Sequence, residues 1–350
     1  MKIKKTAAVF AVCLCGLSAA GCGSSEEMNV YKQAGMDLEQ GSYEQALAGF
    51  EASVTNQVKL PQSYRGAGLA SFYMGDYNGA CEYFTKALQC EKVSDTLKKD
   101  ILSYRATAQL KAGMLDGAMA DCQTLAEDFD MDADLYFLSG KVALAMDSYD
   151  EAAADFDQAY VEDAGYEMAI RIYEAYLEAD MEADGTRYLE ATLTEKPKTA
   201  EDYCSRGQIY YYMEDYNSAK SELIKATHKN STQALLLLGM VYLGQNDISN
   251  ARAMYQQYIS AVKDSAEGYN GLALCDIAEG NYQAALNDIT TGLPIATTDE
   301  MQRLLYNEIV AYEKMLDFST AKTKAQEYLE MFPDDENISR ELVFLNSRVH

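Results

Sequence analysis

Small and large apolar positions recur along this chain with a helical period set inside a much longer one. In GDYNGACEYFTKAL, residues 75–88, Ala80 is followed by Phe84 four residues on and Ala87 seven residues on, which is one face of an α-helix. The phrase returns as GSYEQALAGFEAS from Gly41, DSYDEAAADFDQA from Asp147, EDYNSAKSELIKA from Glu214 and GNYQAALNDITTG from Gly280. Aligned on the central small residue, the copies place Ala46, Ala80, Ala118, Ala152, Gly185, Ala219, Ala251, Ala285 and Ala321 at intervals of 34, 38, 34, 33, 34, 32, 34 and 36 residues. Twelve residues before each stands a second position, usually small: Ala34, Gly68, Ala106, Gly140, Tyr173, Gly207, Gly239, Ala273 and Ile309. Two small residues at a fixed offset predict a pair of antiparallel helices whose backbones approach closely. The turn between them is supplied by Gly41-Ser42-Tyr43, Gly75-Asp76-Tyr77, Glu214-Asp215-Tyr216 and Gly280-Asn281-Tyr282.

One such hairpin has nothing to bury its large residues against, so the pattern predicts a stack. The period, the paired small residues, the Gly-Asp-Tyr type of turn and the terminal prolines Pro197 and Pro333 closely resemble the tetratricopeptide repeat family. The resemblance implies an all-α, right-handed superhelical solenoid of about nine helix-turn-helix repeats over residues 27–333. Beyond Pro333, Asp334-Asp335-Glu336 reads as a cap and acidic first turn. Ile338, Leu342 and Leu345 then share one face, so residues 334–350 are expected to form a C-terminal capping helix.

The first residues follow another logic. Met1-Lys2-Ile3-Lys4-Lys5 is basic, residues 7–17 are a short apolar run, and Ser18-Ala19-Ala20-Gly21-Cys22 is small and ends in cysteine, the pattern of a secretion signal. Ala19-Ala20-Gly21-Cys22 resembles the lipobox of bacterial lipoproteins, in which the cysteine is acylated and becomes the new N-terminus. The resemblance implies a signal peptide at 1–21, a lipid anchor of palmitate type on Cys22, a tether at 22–30 and an extracytoplasmic, membrane-bound protein. Ser18 and Ala20 also satisfy ordinary small-x-small cleavage.

Charge and chemistry narrow the function. The formal net charge is −26, and the densest basic segment, 225–229, offers only Lys225, His228 and Lys229; phosphate backbones need clustered cations, so nucleic acid is not the expected ligand. Cys81, Cys122 and Cys275 lie among apolar neighbours and read as packing. The two histidines, His228 and His350, have no partner nearby in sequence, and no nucleophile elbow, phosphate loop or zinc helix occurs. Neither catalysis nor a cofactor is expected. Asp128, Asp130 and Asp132 alternate like the start of a calcium loop, but Ala133 stands at the sharp-turn glycine and Ser139 at the distal glutamate. A metal-dependent binder or enzyme at 128–134 is therefore the competing class, and a solvated linker the favoured reading.

What the family resemblance implies instead is a concave groove lined by the first helices of successive pairs, binding a peptide or partner helix. The repeat phase places Tyr31, Phe72, Tyr73, Phe137, Tyr211, Tyr212, Leu243, Ile277 and Tyr306 toward it, with Glu174, Glu178, Gln208 and Asn270. The expected function is a protein-binding scaffold of the bacterial cell envelope. The alternative is an accessory factor for envelope assembly, of pilus or outer-membrane type.

Overall fold

The computed structural model describes residues 23–263, 265–333 and 335–349, and among these the chain is all-α. It divides into two compact units, up to Asp163 and from Ala164 onward. In the first unit, four consecutive hairpins are α1 (Gly23–Glu39) with α2 (Tyr43–Thr55), α3 (Leu60–Tyr73) with α4 (Tyr77–Leu88), α5 (Asp95–Lys111) with α6 (Leu115–Asp128), and α7 (Ala133–Ala145) with α8 (Tyr149–Glu162). In the second unit, five more are α9 (Tyr166–Glu178) with α10 (Glu182–Thr192), α11 (Ala200–Tyr212) with α12 (Tyr216–Thr227), α13 (Gln233–Gly244) with α14 (Ile248–Ala261), α15 (Ala266–Glu279) with α16 (Tyr282–Gly292), and α17 (Thr298–Lys314) with α18 (Phe318–Met331). A final helix, α19 (Glu336–Arg348), packs on α18. The signal at 1–21 and Cys22 lie outside the described residues, as do Asp334 and His350. The expected tether is helical from Gly23, where α1 begins.

The turns repeat one backbone solution. Five residues before each central small residue the chain passes through the left-handed region, at Gly41, Gly75, Gly113, Asp147, Asp180, Glu214, Asn246, Gly280 and Leu316. The next residue caps the second helix: the carboxylates of Asp76, Asp215, Asp247 and Asp317 accept the backbone N–H of Gly79, Ser218, Asn250 and Thr320 at 2.9, 3.1, 3.3 and 3.1 Å. Ser42 and Asn281 stand at the same place without a side-chain cap bond.

All eight central alanines are 0 % exposed. The earlier small position does a further job that the sequence did not show. A Cβ added at Gly68 would stand 2.6 Å from Phe84 Cε1, at Gly140 2.7 Å from Phe156 Cδ1, at Gly207 2.4 Å from Leu223 Cγ and at Gly239 2.5 Å from Tyr255 Cε1. At these positions it seats the large residue that follows the central alanine by four, and at Gly207 it also faces backbone, 3.3 Å from Ala219 O. Burying such a side chain contributes roughly 1.5–3 kcal/mol. In the fifth hairpin the sizes are reversed: Tyr173 is large, and a Cβ on Gly185 would come within 2.9 Å of the Tyr173 backbone. The cores follow as a row of clusters in each unit, such as Leu69, Ala80, Phe84 and Ile101 in the first and Ala219, Leu223, Leu237 and Val241 in the second.

Candidate functional site

In the second unit, side chains spaced three or four apart on successive first helices come together. Helix α11 is started by a reciprocal cap between Thr199 and Asp202, α15 by Ser265, and α17 by Thr297 with Glu300. These fixed starts set Gln208, Tyr211 and Tyr212 of α11 beside Gln233, Leu236, Leu237 and Met240 of α13. Glu267, Asn270, Gly271 and Leu274 of α15 and Arg303 of α17 follow, around a pocket of about 320 Å³. Tyr255, reaching from α14, completes the lining. Leucine, methionine and the Tyr255 ring form an apolar floor, and amides and charges form the rim.

The rim is ordered by hydrogen bonds. The Tyr212 hydroxyl donates to Glu174 Oε1 at 2.5 Å, and Gln208 Nε2 donates to the same oxygen and to the Tyr212 hydroxyl, each at 3.3 Å. Burial, and then the Glu174 contact, push the Tyr212 phenol well above its usual range, so it remains a donor. Across the pocket the Tyr258 hydroxyl donates to Glu267 Oε2 at 3.0 Å, while Arg303 stands 3.6 Å from Oε1. Asn307 Nδ2 donates to Asn270 Oδ1 at 2.7 Å.

Of the residues that the sequence places toward a groove, the structure gathers Gln208, Tyr211, Tyr212 and Asn270 at this pocket, with Glu174 bonded to it. Tyr306 is exposed on α17. Leu243 packs with Tyr255 and Cys275, and Ile277 with Ala285 and Ile289, so both serve the core. In the first unit, Tyr31 lines a pocket of about 820 Å³ with Lys32, Gln62, Arg65 and Asp100. Phe72 lies edge-on to Tyr77 and Tyr104, Phe137 tilts on Phe156 at 5.8 Å, and Tyr73 stacks on Tyr43 at 5.2 Å. Phe72 and Phe137 are thus half-buried, each with ring contacts to a neighbouring helix. The sequence reading missed Leu236, Met240, Leu274, Glu267 and Arg303. Its available signal was Gly271, two residues before the small Ala273, as Gly66 stands two before Gly68.

The acidic stretch 128–134 is a lysine-paired link. Lys98 Nζ lies 2.6 Å from Asp128, and Lys99 Nζ lies 2.9 Å from Asp132 and 3.2 Å from the Asp130 carbonyl. Asp132 caps α7 by accepting from Leu135 N at 3.0 Å. Burial works to raise the Asp132 carboxyl, but the Lys99 and Leu135 bonds outweigh it and hold the group below its usual range. Among the described residues no group of three or more His, Cys, Asp or Glu could hold a metal ion, and no helix is long and apolar enough to cross a membrane.

Residues 204–266 and 236–290 match the family model described as tetratricopeptide repeat. A curated relative, the BBSome complex member BBS4 homolog of Drosophila melanogaster, is 21% identical over 280 residues, 79% of this chain. The chain spans about half of that relative's length, 52%. Among solved structures, a tetratricopeptide repeat protein from Parabacteroides merdae aligns with TM-score 0.47 and 17% identity over 72% of this chain and 99% of that one. The APC/C hetero-tetramer Cut9-Hcn1 aligns with TM-score 0.41 and 13% identity, covering 91% of this chain and 90% of that chain.

Proposed function

We propose that this chain is a tetratricopeptide-type scaffold, tethered by lipid at Cys22 on the outer side of a bacterial cytoplasmic membrane or in a periplasm, that holds a segment of another protein. The observation that carries the reading is the pocket on α11, α13, α15 and α17, where an apolar floor lies beneath convergent amides and charges. That combination suits recognition, with apolar anchors for affinity and polar neighbours for orientation. The residues that match the tetratricopeptide family model include most of the same lining. Membership of a complex, as the BBS4 homolog's description states for that protein, is the kind of role carried over. Two acyl chains, at about 0.8 kcal/mol per buried CH₂, give stable anchoring where one would not.

The test is photo-crosslinking in intact cells from position 240 or 274 of the full chain, with a control at Val161, which is 71% exposed outside the pocket. One protein captured at the first two positions and not at the control is the expected result. Equal capture at all three positions, or none at 240 and 274, removes the groove reading. The anchor is tested separately: Cys22→Ala is expected to move the chain into the soluble fraction, and retention on membranes without detergent overturns it.

A further inference from the structure

Resting on the scaffold reading, the occupant of the second-unit pocket can be narrowed by construction and charge. Of the nine hairpins, only two carry glycine two residues before the first small position, Gly66 and Gly271, and a pocket opens at each. In both, an aromatic ring from the preceding second helix occupies the space of the missing side chain. A Cβ at Gly66 would stand 2.5 Å from Phe50 Cε1, and one at Gly271 would stand 2.3 Å from Tyr255 Cδ1. Gly239 meets the same ring, where a Cβ would lie 2.5 Å from Tyr255 Cε1. The Tyr255 ring, 1% exposed, is thereby held as an apolar floor of the pocket that Met240 and Leu274 also line.

The lining carries one carboxylate, Glu267, and a second, Glu174, lies off it, bonded to the lining residues Tyr212 and Gln208. Glu174 is held by Tyr212 and Gln208, and Glu267 by Tyr258, so neither carboxylate loses much freedom on meeting a cation. The one basic side chain on the lining, Arg303, is 56% exposed and stands 3.6 Å from Glu267, a long surface pair that a ligand cation can replace at small cost. An acidic ligand would meet Glu267 on a chain of net charge −26.

We propose that this pocket is an anchor site for a cationic peptide segment, one apolar side chain resting on the Tyr255 floor and a neighbouring lysine or arginine paired with Glu267. Specificity then has two separable parts: the floor selects an aliphatic or aromatic side chain, and the rim rejects acidic flanks.

The probes are fluorescent peptides of Ser, Gly and Ala with one central Leu, flanked on both sides by Lys, by Ser or by Glu, titrated against the full chain at low and high salt. The Lys-flanked peptide is expected to bind at least about tenfold more tightly than the Glu-flanked one, with the difference shrinking at high salt. Met240→Arg, which places bulk and positive charge over the floor, should weaken the Lys-flanked peptide about tenfold. Glu267→Gln should bring Lys- and Ser-flanked peptides level while leaving the apolar anchor in place. Leu274→Ala serves if Met240→Arg does not fold, as read by circular dichroism, and should weaken all three peptides alike. Glu-flanked peptides binding as well as Lys-flanked ones, or a folded pocket variant that binds unchanged, overturns the assignment. If no peptide binds, the cationic-peptide occupant is wrong, and crosslinking from positions 240 and 274 still decides independently whether the pocket holds a partner.

Discussion

A single backbone state, the left-handed residue five positions before each central small residue, decides how every hairpin turns. Where the chain supplies glycine, as at Gly75 with φ 80°, the state is accessible without a Cβ clash. At Leu316 a branched side chain sits at φ 61° and is 74% exposed, so it makes little packing contact to offset the conformation. An L-residue there costs roughly 1–2 kcal/mol. Leu316→Gly is therefore expected to stabilise the chain by about 1 kcal/mol, less the greater flexibility of glycine when unfolded, and Gly75→Ala to destabilise it by a similar amount. Urea midpoints of the two variants check this, and a downward shift for Leu316→Gly would sink it. The turns at Gly41, Gly75 and Gly280 were legible from their Gly-Asp-Tyr type, and Gly113-Met114-Leu115 was not. The Leu316-Asp317-Phe318 turn was not, since only the cap made by Asp317 reveals it.

Among the elements, α19 shows an apolar face working against a charged one. Ile338, Leu342 and Leu345 pack on Ile309, Ala325 and Tyr328, the residues whose spacing already predicted that face. Asp335 starts the helix by accepting from Asn337 N and Ile338 N at 3.0 and 3.1 Å, and the Tyr328 hydroxyl also donates to it. Glu341 of the same helix meets Glu313 of α17. Burial first, and then the contact with Glu341, push the Glu313 carboxyl from 4.5 up to about 7, only partly opposed by Lys314. On α18, Lys324 is occupied by Glu308 and Glu327 at 3.3 and 3.2 Å. Below about pH 4.5 the Glu313 proton is bound in both the folded and unfolded states. Between about 4.5 and 7 the folded chain keeps a proton that the unfolded chain has lost, so stability falls as pH rises and levels off above 7. Glu313→Gln is expected to remove that slope, raising the melting temperature at about pH 8 while leaving it nearly unchanged at about pH 4. An unchanged slope would show that the pair carries no such penalty. The sequence could not show this meeting, because the two glutamates are distant in the chain and are paired only by packing.

For the molecule as a whole, the nine-hairpin pattern was legible because most repeats bury a large residue by the same rule, whereas the pocket depends on two glycines, Gly239 and Gly271, meeting one tyrosine from another helix. For Phe72 and Phe137 the phase gave a face but not the ring partners, Tyr77, Tyr104 and Phe156, which only packing brings near. The same nearest-neighbour logic governs stability within each unit, a hairpin being supported mainly by its neighbours there. Within the second unit it makes a local prediction. Ending the chain after residue 333 removes α19 and opens the cluster of Ile309, Ala321, Ala325 and Tyr328 to water, at about 25 cal/mol for each Å² of apolar surface exposed. Helices α17 and α18 should then lose amide-exchange protection by about tenfold or more, since each 1.4 kcal/mol is a factor of ten. The clusters around Leu223 and Leu238 and around Tyr255 do not include α19, so α11 to α14 should keep theirs. Hydrogen exchange resolved by peptide would separate the outcomes. A graded loss confined to the C-terminal hairpin supports stepwise stacking, whereas an equal loss across α11 to α18 would mean that these hairpins open as one cooperative body.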